Sequence, residues 1–453
     1  MTIERIKYLI YNILYISLII LGFQGCIRSS MVGDVQVKWK DPVSDFPKAL
    51  WGVNDYEITD INDVRDPEYQ HLMREISPEL IRVHYGYIAD EFTDSLTRTW
   101  DEELVVNCFQ EAKKAYGNAK LMVNPVAKWP EWLADKNDPL TENQEKELID
   151  LFKDFLRITK DHDIKVDYWE ILNERENLYH ENGQLPRLWN LFNRIVNEMR
   201  AIDPEIIIGG PAITYPQEPH FSSFLDSCGS NIDFISWHNY ASPDPSTSTE
   251  FILTDAVATI DSFANYAIAK VEEKNLTNIK EFFLTEFNIQ WTWEPFETRH
   301  ANHIGAIYMG LVVDKLSNHP VSGITVWHFK GHSYGIVGKR NEMRPAGYLY
   351  EWGNHSLFGK RYGVNYKVDS IRNYLHVIPV ENEEHRSVLL MNSSADQLFN
   401  LVLSDLSFNN TSEVNILCMD ETRHSPDTIK VNSPEQEIII PPHSLIYINT
   451  NIN

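Results

Sequence analysis

At 453 residues the chain exceeds one ordinary core, so two domains are the natural expectation. Sixty-five acidic against 40 basic side chains leave a formal charge of −25, which repels phosphate backbones and argues against a nucleic-acid partner. Aromatic residues make up 12% of the chain, which excludes disorder and suits ring stacking on sugars.

The N-terminus is set aside from fold reasoning. Arg5 and Lys7 precede an apolar run from Tyr8 to Leu21, and Gly25-Cys26 follows. A basic start, an apolar stretch and a small residue before cysteine resemble a bacterial lipoprotein signal. Residues 1–26 are therefore expected to direct export, with a lipid on Cys26 as the only tie to a membrane and the mature chain in the periplasm or at the cell surface. The run is short for a spanning helix. Cys108, Cys228 and Cys418 have neither disulfide-framework nor zinc spacing and are read as buried thiols.

Residues 27–47 read as a linker, with Val35 to Trp39 an alternating strand that joins a later domain. From residue 48 to 355, strand-like runs alternate with helical ones, the pattern of βα units and a parallel sheet. The expected strands are Ala49–Val53, Leu80–Tyr85, Lys120–Asn124, Val166–Glu174, Ile206–Gly210, Asp233–His238, Glu281–Asn288 and Gly323–His328. Helical periodicity fills the gaps: Glu142 to Lys160 lines up Leu148, Leu151, Phe152, Phe155 and Leu156, and Leu188–Met199, Thr254–Glu273 and Asn302–Leu316 follow suit. Eight such units predict an α/β fold, a (β/α)₈ TIM barrel. A doubly wound open sheet competes, but no glycine-rich phosphate loop follows the first strand. Over residues 356–453 short alternating runs separated by polar turns predict a C-terminal β-sandwich.

Two of the barrel strands end in a carboxylate, Glu174 and Glu286. Strands four and seven face each other across a barrel mouth, so both side chains can converge on one sugar ring, as glycosidic hydrolysis requires. Either alone would read as an ordinary loop carboxylate.

The motifs Arg82-Val83-His84-Tyr85-Gly86, Trp169-Glu170-Ile171-Leu172-Asn173-Glu174, Gly209-Gly210-Pro211-Ala212, Asp233-Phe234-Ile235-Ser236-Trp237-His238-Asn239-Tyr240 and Leu284-Thr285-Glu286-Phe287-Asn288 resemble glycoside hydrolase family 39, the β-xylosidase and α-L-iduronidase family of the retaining (β/α)₈ clan. The resemblance implies a carbohydrate substrate, Glu174 as general acid/base and Glu286 as nucleophile. Physics supports that division: of two carboxylates about 5 Å apart one holds its proton at neutral pH. Arg82 would keep Glu286 charged, and Asn173 would bind the hydroxyl beside the reacting carbon. The resemblance also implies that Tyr240 orients the nucleophile, that His238 and His84 contact sugar hydroxyls, and that Trp327 floors the sugar subsite. Trp129, Trp132, Trp291 and Trp293 are expected as exposed rings for further sugars. His300, His303, His328 and His332 lack a ligand pattern, so no metal and no cofactor is predicted. Leu172 stands where the family usually has Trp, and Arg175, Lys330 and His332 at the rim would suit a uronic or sulfated sugar as an alternative to xylose. A non-catalytic glycan-binding lipoprotein is the remaining alternative, and it would have no need of two converging carboxylates.

Overall fold

Eight short runs pair in parallel and close on themselves: Gly52–Asp55, Leu80–His84, Lys120–Asn124, Tyr168–Glu170, Ile208–Ile213, Phe234–Ser242, Glu281–Gln290 and Gly323–Val326. The computed structural model describes residues 30–32, 35–84, 91–293, 295–366, 368–408 and 410–452. The expected export segment with Cys26, and Tyr85-Gly86 of the second-strand motif, lie outside the described residues. Among the described residues no helix is long and apolar enough to cross a membrane.

A helix follows each strand: Pro67–Ile76, Glu102–Tyr116, Glu142–Asp161, Leu185–Ile202, His220–Cys228, Val257–Glu273, His303–Leu316 and Pro345–His355. The local chemistry explains their starts. Thr141 and Gln144 form a reciprocal capping box, and Asn302 accepts from the Ile304 amide. The sixth helix is preceded by a helical turn Thr249–Phe251 and a π-helical stretch Ile252–Ala256, so the coil begins earlier than its periodicity suggests.

Period-two alternation organises the barrel interior by depth. At the N-terminal end Leu80, Met122, Tyr168, Phe234 and Phe283 form an apolar plug, with the Tyr168, Phe234 and Phe283 rings edge to face at 5.0 to 5.8 Å. Two residues further along the same strands stand Arg82, Asn124, Glu170, Ser236 and Thr285, a buried polar layer. Strict alternation would turn Glu286 outward with Leu284. The pairing shifts instead: Trp237 faces Leu284, but His238 faces Glu286, so strand seven carries one extra residue. This bulge aims Glu286 inward and returns Phe287 to the outer core.

Three expected strands are shorter than the sequence suggests, the eighth ending at Val326 instead of His328. Lys48–Trp51 forms a 3₁₀ turn, because Trp51 is buried with its Nε1 donating to the Leu357 carbonyl at 2.9 Å. Strand four stops at Glu170. Beyond it Leu172 and Glu174 take left-handed backbone angles (φ 65° and 49°), which regular β-pairing disfavours and which cost about 1 kcal/mol or more each.

The second domain is a sandwich. A seven-stranded antiparallel sheet runs Arg423–Thr428, Val414–Asp420, Ser444–Asn451, His385–Asn392, Leu375–Glu381, Gly359–Tyr366 and Val35–Phe46. It faces a smaller sheet of Ser30–Val32, Leu398–Val402 and Glu437–Ile440. Alternation again divides the work. Val388, Leu390, Ile446 and Ile448 fill the sandwich, whereas Leu389, Met391, Leu445 and Tyr447 join the barrel's core. Tyr447 stacks on Trp352 of the eighth barrel helix at 4.8 Å, which fixes one domain against the other.

Candidate active site

The polar layer leads upward into a constellation centred on one arginine. Arg82 is fully buried, and its guanidinium donates to four side chains: Glu170 (Nε to Oε2, 2.7 Å), Asn54 (3.0 Å), Glu286 (Nη1 to Oε1, 2.8 Å) and Asn173 (2.8 Å). Glu170 is itself fully buried and also accepts from Asn124 at 3.2 Å. One permanent cation therefore serves two buried carboxylates, and its hydrogen bonds to each offset the cost of burying them, although Glu170 Oε1 has no partner among the described residues.

Glu286 is 6% exposed. Its Oε1 accepts from Arg82, and its Oε2 accepts from the Tyr240 hydroxyl at 2.8 Å. Burial alone would lift this carboxyl, but the charges of His238 and Arg82 outweigh burial and hold it at about 2. His84 does not join them at neutral pH: burial, reinforced by Arg82, drives its imidazole well below the ordinary range. Burial and the Glu286 charge push the Tyr240 phenol well above its usual value, so it stays a donor.

His238 is the link between the two glutamates. Its Nδ1 lies 2.7 Å from Glu174 Oε1 and its Nε2 lies 3.6 Å from Glu286 Oε1. Burial would lower this imidazole, yet the negative charge of Glu286 and its bond to Glu174 hold it above its ordinary value. Glu174 differs from Glu286 in exposure, at 36% of its side chain against 8%. One oxygen of each glutamate and one nitrogen of His238 all lie within 4.8 Å of one another. By distance the trio could hold a metal ion. A divalent cation there would, however, face the buried guanidinium at 2.8 Å from Glu286, so the electrostatics favour proton transfer over coordination.

These groups stand in a cleft of about 1270 Å³ at the C-terminal end of the barrel. Asn173, Glu174, Tyr240, Glu286, His84 and Trp327 all line it. Trp327 meets His84 edge to face at 5.3 Å and Tyr56 at 6.0 Å, which leaves a ring at the cleft floor. Among the described residues neither nitrogen of His84 has a hydrogen-bond partner, and both atoms are buried.

Several expected residues lie elsewhere. Trp129 is a correction: it is 3% exposed, outside the cleft and covered by the Arg175 guanidinium at 4.4 Å, so it presents no face to a sugar. Trp132 is half-buried, with its Nε1 donating to Thr93 at 2.8 Å. Trp291 and Trp293 line the cleft and are exposed. Arg175 is not a rim cation, because it is buried and donates to the carbonyls of Ala127 and Lys136. Lys330 lines the cleft but is buried beside Asp66 at 3.7 Å, and His332 remains open.

Sequence reasoning missed Glu170, Asn54 and Asn124, which build the arginine's cradle. Their signal was a polar residue at an inward position of a strand covered on both faces, which burial tolerates only in a network.

Over residues 132–332, a span that includes Glu174 and Glu286, the sequence matches the profile of Glycosyl hydrolases family 39. No curated protein matches the sequence. The fold is similar to that of the bacterial orthologue of human α-L-iduronidase (TM-score 0.70, 15% identity, covering 92% of this chain and 83% of that one). It is similar also to AbfB, a family 51 α-L-arabinofuranosidase from Bifidobacterium longum (TM-score 0.65, 13% identity, 93% and 100% covered). An α-L-arabinofuranosidase from Thermotoga maritima aligns with a TM-score of 0.62 at 12% identity, with 93% and 100% covered. Identities this low speak for the fold alone.

Proposed function

We propose that this glycoside hydrolase, whose residues 132–332 match the Glycosyl hydrolases family 39 profile, cleaves its substrate with retention, by double displacement through Glu286 and Glu174. The observation that carries this reading is the separation of the two carboxylates. One oxygen of each lies within 4.8 Å of the other, which fits the roughly 5 Å spacing of a covalent mechanism better than the wider spacing of an inverting one.

Glu286, charged at neutral pH and aimed by Tyr240 and Arg82, attacks the anomeric carbon. The bond to the departing oxygen breaks as the Glu174–His238 pair delivers a proton to it. Water, losing its proton to Glu174, then opens the glycosyl ester on the same face and releases the sugar with its configuration kept. Asn173, positioned by Arg82, is placed to bind the neighbouring hydroxyl, and the Trp327 ring to carry the sugar's apolar face.

The glycone we favour is a neutral pentose, as in a β-xylosidase. Of the three rim cations expected to suit a uronic sugar, Arg175 faces inward and Lys330 is engaged by Asp66, whereas His332 stays open; Lys128 and Lys339 also line the cleft, so a uronic sugar is the second reading. We also propose an exported lipoprotein anchored at Cys26. Palmitate labelling that persists in Cys26→Ser would refute that anchor.

The test of the mechanism is Glu174→Ala. Hydrolysis of natural oligosaccharides should fall by about 10²- to 10⁴-fold, while dinitrophenyl glycosides, which need no acid, lose far less in their first step. Equal losses on both would mean that Glu174 is not the acid. A panel of xylosides, arabinosides and glucuronides, with product configuration followed by NMR, decides the sugar.

A further inference from the structure

We infer that the wall built by the loops after strands five and six is the leaving-group subsite, and that it accepts an uncharged pyranose ring. This rests on the assignment of Glu174 as the acid.

Exposed aromatic rings are the starting observation. Among the described residues these are Tyr215, Phe251, Trp291, Trp293 and Phe296, and all but Phe296 line the catalytic cleft. Scattered exposed rings need no explanation, whereas their concentration along one cleft marks a binding surface. The cleft exceeds the roughly 1,000 Å³ upper end of ordinary single-ligand pockets, so it has room beyond one sugar.

The cleft is asymmetric. Besides Glu174 and Glu286, its acidic and basic lining residues Glu57, Asp63, Lys128, Lys330 and Lys339 belong to loops after strands one, three and eight. The opposite wall offers Thr214, Tyr215, Phe251, Thr259 and Phe263, with no charge among them. Tyr215 stacks on Phe263 at 5.6 Å with the planes 9° apart, so the two rings form one preorganised platform.

This platform is indexed to the acid. Thr214, the residue before Tyr215, gives its amide to Glu176 at 2.9 Å and accepts from Asn177 at 3.0 Å. Glu176 and Asn177 open the short helix that follows Glu174 directly. The Glu174 amide also donates to Ala212, on the strand that leads to Tyr215, at 3.0 Å. Glu174 is the carboxylate with the open flank, and the oxygen it protonates departs on that side. A ring attached to that oxygen meets Tyr215 and Phe263, while the reacting sugar sits over Trp327 among Asn173 and His84. Uncharged surroundings with flat apolar faces recognise a neutral pyranose by stacking and penalise a carboxylate or sulfate by desolvation.

The experiment is calorimetric titration of Glu286→Ala protein, which binds without turnover, with xylotetraose, cellotetraose and tetragalacturonate. At least one neutral oligomer should bind, and the galacturonate should bind at least about tenfold more weakly. Tyr215→Ala and Phe251→Ala should each raise the Kd for the neutral oligomer about tenfold, and Tyr215→Phe should stay within about twofold. Unchanged dissociation constants in the alanine variants, equal binding of the charged oligomer, or binding of neither neutral oligomer would overturn the inference. Wild-type turnover of a glycosyl fluoride, whose leaving group cannot reach the platform, tests the hydrolytic reading separately. Its absence beside Tyr215-dependent binding would refute that reading and leave the platform standing.

Discussion

Replacing Arg82 with methionine tests the electrostatic core of the site. Unit charges 2.8 Å apart attract by roughly 6 kcal/mol at an effective dielectric constant near 20, a gross figure that burial opposes. The net result for Glu286 is a fall from 4.5 to about 2, worth roughly 3 kcal/mol. Without Arg82, burial is opposed mainly by the His238 charge and the Tyr240 hydrogen bond, and the carboxyl should rise by about two units or more. The assay is kcat/KM against pH on a dinitrophenyl glycoside, where the acid limb is expected to report ionisation of Glu286 as the proposed nucleophile. That limb should move from near pH 2 to about pH 4 or higher. Stability follows the same sign. A depressed carboxyl stabilises the fold fully above its unfolded value near 4.5 and loses that contribution as pH falls toward 2, so the deficit of the variant is largest near neutrality and shrinks in acid. Breaking the buried pair costs about 3–5 kcal/mol, and Glu170 is stranded as well. Pairing Arg82→Met with Glu170→Gln removes that second charge and keeps the protein measurable if the single variant unfolds. An acid limb that stays within about half a unit of wild type, in folded protein, would refute the account of Glu286.

Further outcomes follow from the same geometry. Glu286→Ala should lose turnover, and azide should restore it on activated glycosides with the configuration inverted; azide products of retained configuration would exclude Glu286 as the nucleophile. His238 has a raised value in the fold, so its stabilising contribution is complete below about pH 6.5 and lost as pH rises through the folded value. Urea titrations from pH 5 to 9 should therefore show wild type losing stability faster than His238→Gln, and parallel curves would count against the link to the two glutamates. Gly353→Ala would put a methyl group on the buried Trp51 ring and should lower stability by about 1–3 kcal/mol; an unchanged melting temperature would mean that helix and ring do not pack as described.

The barrel and the sandwich were legible because periodicity changes visibly, from runs buried on both faces separated by helical stretches to short alternating strands. Strand ends were legible only where pairing decides them. Lys120–Asn124 has the expected bounds, whereas the strand expected to reach Glu174 stops at Glu170, because Leu172 and Glu174 adopt backbone angles that no propensity scale assigns to them. The chemistry was legible as residue types at strand ends, but exposure was not. Trp129 and Trp291 look alike in sequence, and only the fold buries the first beneath Arg175 while it leaves the second open to the cleft.

The same contrast explains why the polar layer escaped notice. A carboxylate at the end of a strand announces itself as chemistry, whereas Glu170, four residues earlier, resembles any strand residue. Burying Glu170 beside Glu286 without a cation would cost several kcal/mol for each, and one arginine satisfies both. Glu170 thus fixes the guanidinium from below, and its remaining donors point at Glu286, Asn54 and Asn173, which pairs both carboxylates with one cation. Glu286, the proposed nucleophile, is held charged by an arginine that the strand beside it anchors through a second carboxylate, and a reading confined to strand ends passes over that support.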